Sequence, residues 1–186
     1  MLSEADVRRL LQHVTNHRNA QRNHVIILLS FKAGLRACEI AGLTWPMILT
    51  ASGKLADHID IASSIAKMGS GRRIPLHPQL KTALRHLHQT MAKPLTGPVV
   101  RSEQGGHLTA RSVVNLFAEI YAALRLDGCS SHSGRRTFIT QAARLLAKTG
   151  GSLRDIQELA GHRAITTTER YIQGDRAIQR RLVSLL

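Results

Sequence analysis

The sequence predicts a mainly helical domain that carries one small antiparallel sheet, an α+β arrangement. Three observations predict it. Apolar residues recur at spacings of three and four along most of the chain, as one face of an amphipathic helix requires. Serine–aspartate pairs suited to helix starts, and glycines suited to helix ends, bracket those stretches. Only between Trp45-Pro46 and Pro78 do the apolar runs shorten to the length of strands.

Ser3 with Asp6 makes a capping box that opens a helix running to about Val14. A second helix, from about residue 18 to 32, stops at Gly34. It is apolar nearly all round from Val25 to Phe31, so it should lie at the centre. Residues 47–49, 58–61 and 72–76 read as short strands, separated by Ser52-Gly53 and by Met68-Gly69-Ser70-Gly71. Pro78 opens a helix with Leu80, Ala83, Leu84, Leu87 and Met91 on one face. Residues 93–106 hold Pro94, Gly97 and Pro98 and should be mostly loop, with helix resuming at about 109–124. Further helices are expected at about 133–148, ended by Gly150-Gly151, and from Ser152, capped with Asp155, to Gly161. Thr166 with Glu169 should cap another that ends at Gly174, and a last amphipathic helix carries Ile178, Leu182 and Leu185.

The 186 residues, 43% of them hydrophobic, suffice for one domain with a real core and not for two large ones. Lys and Arg number 26 against 12 Asp and Glu, a net charge of +14. Such an excess points to a polyanionic partner. Nucleic acid is favoured over a membrane surface, because no basic cluster sits beside an apolar anchor. Aromatic residues make up only 3%, which argues against single-strand binders that stack bases and for contact with a duplex backbone. Cys38 and Cys129 show no CxxC spacing, so neither a disulfide framework nor a zinc ribbon is expected, and a reduced cytoplasm is the simple reading. The first residues, MLSEADVRRLL, carry acids early and do not read as a signal peptide.

Several familiar chemistries have no motif here. There is no GxxxxGK[ST] phosphate loop, no HExxH and no GxSxG elbow. His86 and His88 are two apart on a helix and should face different ways, each solvated or turned to a polyanion rather than bound to metal. Four stretches remain: GLRACEIAGL (34–43), AKMGSGRRIPL (66–76), HSGRRTF (132–138) and LAGHRAITTTERY (159–171).

On these stretches the chain resembles the tyrosine recombinases, also called the phage integrase family, over nearly its whole length. Arg36 and Glu39 match the family's first motif, an arginine after Gly-hydrophobic with Glu three residues on. Lys67 stands eight residues before Pro75, matching the hairpin lysine. His132 and Arg135 match HxxR. Leu159, Gly161 and His162 match Leu-x-Gly-His, and Tyr171 stands nine residues after that histidine, where the family has its nucleophile. Gly134 replaces the family's frequent Leu, which should loosen the start of its helix and leave a packing slot unfilled. Met68 follows the lysine, where polar or small residues are common.

The resemblance implies the tyrosine recombinase catalytic fold and a transesterification. The Tyr171 oxygen attacks a DNA phosphorus, a 3′-phosphotyrosyl link forms, and the 5′ oxygen leaves. Neither ATP, metal nor other cofactor is expected. Arg36 and Arg135 would clamp the non-bridging oxygens as charge builds on them. Lys67 would protonate the leaving oxygen, and His132 and His162 would donate hydrogen bonds, one of them open to accepting the tyrosine proton. Glu39 would orient Arg36. Arg72, Arg73 and Arg136 are expected as further DNA contacts, Arg72-Arg73 as non-specific phosphate contacts or a solvated strand end rather than catalysts. Plainer roles remain open: a surface pair for Arg36 and Glu39, a turn lysine for Lys67, a helix-capping His132, a helix-dipole partner in His162 and a core tyrosine for Tyr171.

The resemblance also implies one catalytic domain over 1–186, with a core to 174 and a C-terminal helix at 175–186 that docks on a neighbouring protomer or on its own core. The core-binding domain that precedes this one in most relatives is expected to be absent from the chain. Double-stranded DNA is the expected partner, with a homo-oligomer, a tetramer, on DNA and room for an accessory directionality protein; no membrane is expected. A bacterial cytoplasmic setting follows. The rival readings are a type IB topoisomerase-like enzyme and a non-catalytic DNA-binding regulator of the same fold.

Overall fold

A computed structural model of the protein describes residues 1–66, 69–171 and 183–184. Helix α1 (Glu4–Val14) opens on a complete capping box: Ser3 Oγ accepts from the Asp6 N–H, and the Asp6 carboxylate accepts from the Ser3 N–H. Its Val7, Leu10, Leu11 and Val14 face inward. Helix α2 (Ala20–Lys32) is the centre. Every residue from Val25 to Phe31 is buried, and α1, α4 and α6 pack around it. A helix buried on all sides has no polar face to offer water, which is why its sequence lacks one.

Gly34 ends this segment at φ +64, where a Cβ would lie 2.4 Å from Phe138 Cδ1. Both the left-handed backbone and the close approach require glycine. Helix α3 (Ala37–Gly42) follows at once. Strands β1 (His58–Ile61) and β2 (Arg72–Pro75) pair antiparallel, with Ile59 opposite Ile74. The strand expected at 47–49 is absent. Trp45–Met47 is a 3₁₀ turn, and only Leu49 bridges, to Leu55. Pro46 lacks the N–H a ladder needs and favours a tight turn instead, and that turn keeps the Trp45 ring fully buried.

Helix α4 (Pro78–Thr90) starts on His77, whose Nδ1 accepts from the Gln79 N–H. His86 is exposed, but His88 is buried against the Trp45 ring, with Nε2 3.0 Å from Pro94 O. The expectation of a solvated His88 is therefore corrected. The amphipathic turn of α4 carries it inward beside Leu84 and Leu87. Helix α5 (Ala110–Ala123) buries Val113, Phe117, Ile120 and Tyr121.

Helix α6 (Ser133–Thr149) ends at left-handed Gly150, and α7 (Leu153–Ala160) opens on the Ser152–Asp155 capping box and ends at left-handed Gly161. Helix α8 (Ile165–Glu169) has Ala164, not Thr166, as its N-cap, because the extended backbone that precedes the helix falls two residues earlier. Tyr171 lies in the turn after α8. Gly174 and the expected helix carrying Ile178, Leu182 and Leu185 lie outside the described residues. Ile139, Ile156 and Ala160 form a second small core, with Phe138, Leu146 and Tyr171 packed on it. No described helix is long and apolar enough to cross a membrane.

Gly134 leaves no empty slot. It is buried where α6 crosses α2, and a Cβ there would sit 2.2 Å from Ser30 Oγ and 2.9 Å from Ser30 Cβ. The missing side chain lets two helices touch. Gly134→Ala should therefore destabilise the fold by about 1–3 kcal/mol through overpacking, against the usual gain of alanine in a helix. Ser30 Oγ is buried and finds no hydrogen-bond partner among the described residues. Ser30→Ala should therefore cost nothing alone and recover part of the loss in the double variant. Urea unfolding of the four proteins checks both statements.

Candidate active site

Arg36 occupies the N-cap of α3 in an extended conformation, because the left-handed turn at Gly34 has just redirected the chain. Its backbone N–H donates to Glu39 Oε2 at 2.9 Å and its Nη1 to Glu39 Oε1 at 3.0 Å. Arg72 reaches the same carboxylate from β2, donating through Nη1 at 2.8 Å and Nη2 at 2.9 Å, while its Nε donates to Leu159 O. Glu39 is fully buried. Burial alone would push its carboxyl up, but the Arg72 hydrogen bonds and charge, joined by those of Arg36, hold it below the ordinary glutamate value.

Arg135, one turn into α6, is 4% exposed. Its Nη1 donates to Gly34 O at 2.7 Å and its Nη2 to Ala160 O. Burial, then the neighbouring charge of Arg36, brings its guanidinium down to about 10, so it stays charged at neutral pH. Its field couples to Arg36, Glu39, Arg72 and Tyr171. Three guanidiniums against one carboxylate leave this cluster at 3 − 1 = +2. Such a surplus attracts anions.

His162 follows the left-handed Gly161 and is half-buried. Its Nδ1 lies 2.9 Å from Thr168 Oγ1, and its ring stacks on Tyr171 at 5.9 Å between centroids with 17° between planes. Burial, then the charges of Arg135, Arg36 and Arg72, lower its imidazole to about 4, so the ring is neutral at physiological pH. The Tyr171 N–H donates to Thr168 O at 3.0 Å.

Arg36, Glu39, Arg135, His162 and Tyr171 are thus brought together. His132 is the exposed N-cap of α6, one turn before Arg135. Lys67 and Met68 lie outside the described residues. Arg72 is corrected: its side chain is 5% exposed and engaged by Glu39, not solvated. Arg73 is exposed and bound to Asp60, and Arg136 is exposed. Among the described residues no group of His, Cys, Asp or Glu could hold a metal ion. Thr168, fully buried, and Gln157, whose Nε2 donates to His162 O and Arg163 O, were not singled out in the sequence.

The depressed imidazole has a measurable consequence. An unfolded histidine takes a proton at about pH 6.5, whereas folded His162 refuses one until about 4. The unfolded chain therefore binds more protons in that window, and the His162 contribution to stability is lost as pH falls from about 6.5 toward 4. NMR titration of the free protein should find this ring protonating near 4; a midpoint at or above 6.5 would refute the electrostatic picture.

A model of the phage integrase family matches residues 1–177. The chain is 29% identical over 176 residues to tyrosine recombinase XerC of Yersinia pestis, covering 91% of this chain and 54% of that protein. It is 32% identical over 162 residues to tyrosine recombinase XerC of Mesorhizobium japonicum, covering 85% of this chain and 48% of that one. The chain spans about half the length of the curated relatives it matches. Among solved structures, the Tn1549 transposon integrase in complex with transposon right end DNA superposes with a TM-score of 0.73 at 20% identity, over 98% of this chain and 65% of that one. The XerA recombinase gives 0.72 at 18%, over 98% of this chain and 62% of that one. At such identities the likeness shows the fold, that of the tyrosine recombinase catalytic domain. With a family pattern running through residues 1–177 on that fold, the chain belongs to the phage integrase family.

Proposed function

We propose that this chain is the catalytic unit of a site-specific recombinase that cuts and rejoins double-stranded DNA, serving integration, excision or inversion of mobile DNA. The observation that carries the reading is the buried +2 arginine cluster set beside a neutral histidine stacked on a tyrosine. Such a pocket suits a phosphodiester whose non-bridging oxygens gain charge as the phosphorus becomes five-coordinate. Family membership supports it too.

In this reading the Tyr171 oxygen bonds to phosphorus and the P–O5′ bond breaks. The phenolic proton passes to His132 or His162, and Lys67 gives the leaving 5′ oxygen its proton. Arg36 and Arg135 hold the non-bridging oxygens. Attack by the 5′ hydroxyl of a partner strand reverses the step and frees Tyr171. The bond energy stays in the phosphotyrosyl link, so no external energy source is consumed. Arg73 and Arg136 add phosphate contacts away from the reacting centre. A homotetramer on paired sites, an accessory directionality protein and a bacterial cytoplasmic setting belong to the same proposal.

The test is a nicked duplex built from DNA flanking the chain's own gene. Its short 5′-hydroxyl fragment diffuses away after cleavage, so a covalent protein–DNA product accumulates and survives boiling in detergent. Wild type should form it, Tyr171→Phe should not, and Arg36→Gln should form it about 10²–10³-fold more slowly. Wild type that shifts the duplex in a gel yet yields no covalent product would overturn the catalytic reading.

A further inference from the structure

The hydroxyl of Thr168 is an internal group with a proton to place. Thr168 is fully buried, and among the described residues its side chain has one hydrogen-bond neighbour, His162 Nδ1, at 2.9 Å. A buried hydroxyl whose proton finds no acceptor loses the full cost of its desolvation. The proton therefore goes to Nδ1. A neutral imidazole that accepts at Nδ1 carries its own proton on Nε2. The backbone of the same residue is engaged as well, its carbonyl accepting the Tyr171 N–H at 3.0 Å.

From this geometry we infer that Thr168 is a positioning residue: its side chain fixes His162 as the Nε2–H tautomer while its carbonyl holds the turn that carries Tyr171. One buried residue then sets both the histidine and the tyrosine, and the two move together if α8 shifts. In the proposed reaction, on which this inference rests, His162 donates from Nε2 to a phosphate oxygen, and the tyrosine proton falls to His132. Among the described residues, the charged and titratable groups that face the ring are Arg135 from α6, Arg36 before α3, Arg72 from β2 and Tyr171 itself. The three arginines are donors only, so none of them can accept a proton from Nδ1.

Two measurements test it. Long-range ¹H–¹⁵N NMR of the histidine-labelled protein reads the tautomer with no DNA present. Wild type and Thr168→Ser should show a proton on Nε2 of His162, and Thr168→Val, of the same shape without the hydroxyl, should show a tautomer mixture. On the nicked duplex, Thr168→Val should slow covalent product formation about 10–100-fold, as loss of an orienting partner does, and Thr168→Ser should restore most of it. A wild-type proton on Nδ1 would overturn the inference without needing any variant to fold, as would an unchanged tautomer in a folded Thr168→Val. Absence of covalent product from wild type would sink the recombinase reading alone, leaving the tautomer result to decide the role of Thr168.

Discussion

Glu39 places one ionised carboxylate, fully buried, between the guanidiniums of Arg36 and Arg72, and the rest of the site is arranged around that ion pair. Arg36 is its neighbour in sequence. Arg72 comes from a strand 33 residues away, so the pair fastens α3 to β2. Taking such charges out of water costs several kcal/mol per ion, returned only when every lone pair is matched. Here Glu39 accepts four hydrogen bonds, two on each oxygen: from the Arg36 N–H and Nη1 and from Arg72 Nη1 and Nη2. Removing the carboxylate would leave two largely buried cations facing Arg135, which is why this one side chain carries so much of the geometry.

The same reasoning explains what holds Arg135. Carboxylates would neutralise it; backbone carbonyls do not. Its partners are Gly34 O, in the turn after α2, and Ala160 O, at the end of α7. Such carbonyls carry only partial negative charge, that of Ala160 reinforced by the C-terminal end of α7, enough to orient a guanidinium without neutralising it. Burial first, and then the surplus of positive charge, keep His162 neutral at physiological pH.

Much of this is legible in the sequence because the element and the chemistry coincide. Gly34 marks a left-handed turn and so places Arg36, and Ser152 with Asp155 starts α7 in the register that ends at Gly161. What escapes the sequence depends on packing between elements. Arg72 and Arg73 read as one basic patch, yet a strand's period of two separates them, and Arg72 shares a face with buried Ile74 while Arg73 meets water. That alternation was the available signal. Gly134 reads as an unfilled position because nothing local reveals Ser30 beneath it. Thr168 is the third threonine of a run of three, and only the fold of α8 tells which one turns inward.

The residues at the end of α7 show how little chain the site needs. The last four carbonyls of a helix lack partners within it and must find others. In α7, Gln157 O takes the His162 N–H and Glu158 O takes the Gly161 N–H, which is the turn itself. Leu159 O takes Arg72 Nε, and Ala160 O takes Arg135 Nη2. The helix end is thus satisfied half by the turn that presents His162 and half by two of the three arginines of the cluster. Gly161 sits at their meeting point, left-handed and with Arg72 Nη1 3.0 Å from where a Cβ would be. A side chain there would strain the turn and press on that guanidinium together. The Leu-x-Gly-His pattern is therefore a structural demand as much as a chemical one: the glycine lets a single helix terminus cap itself, hold the arginines and deliver the histidine.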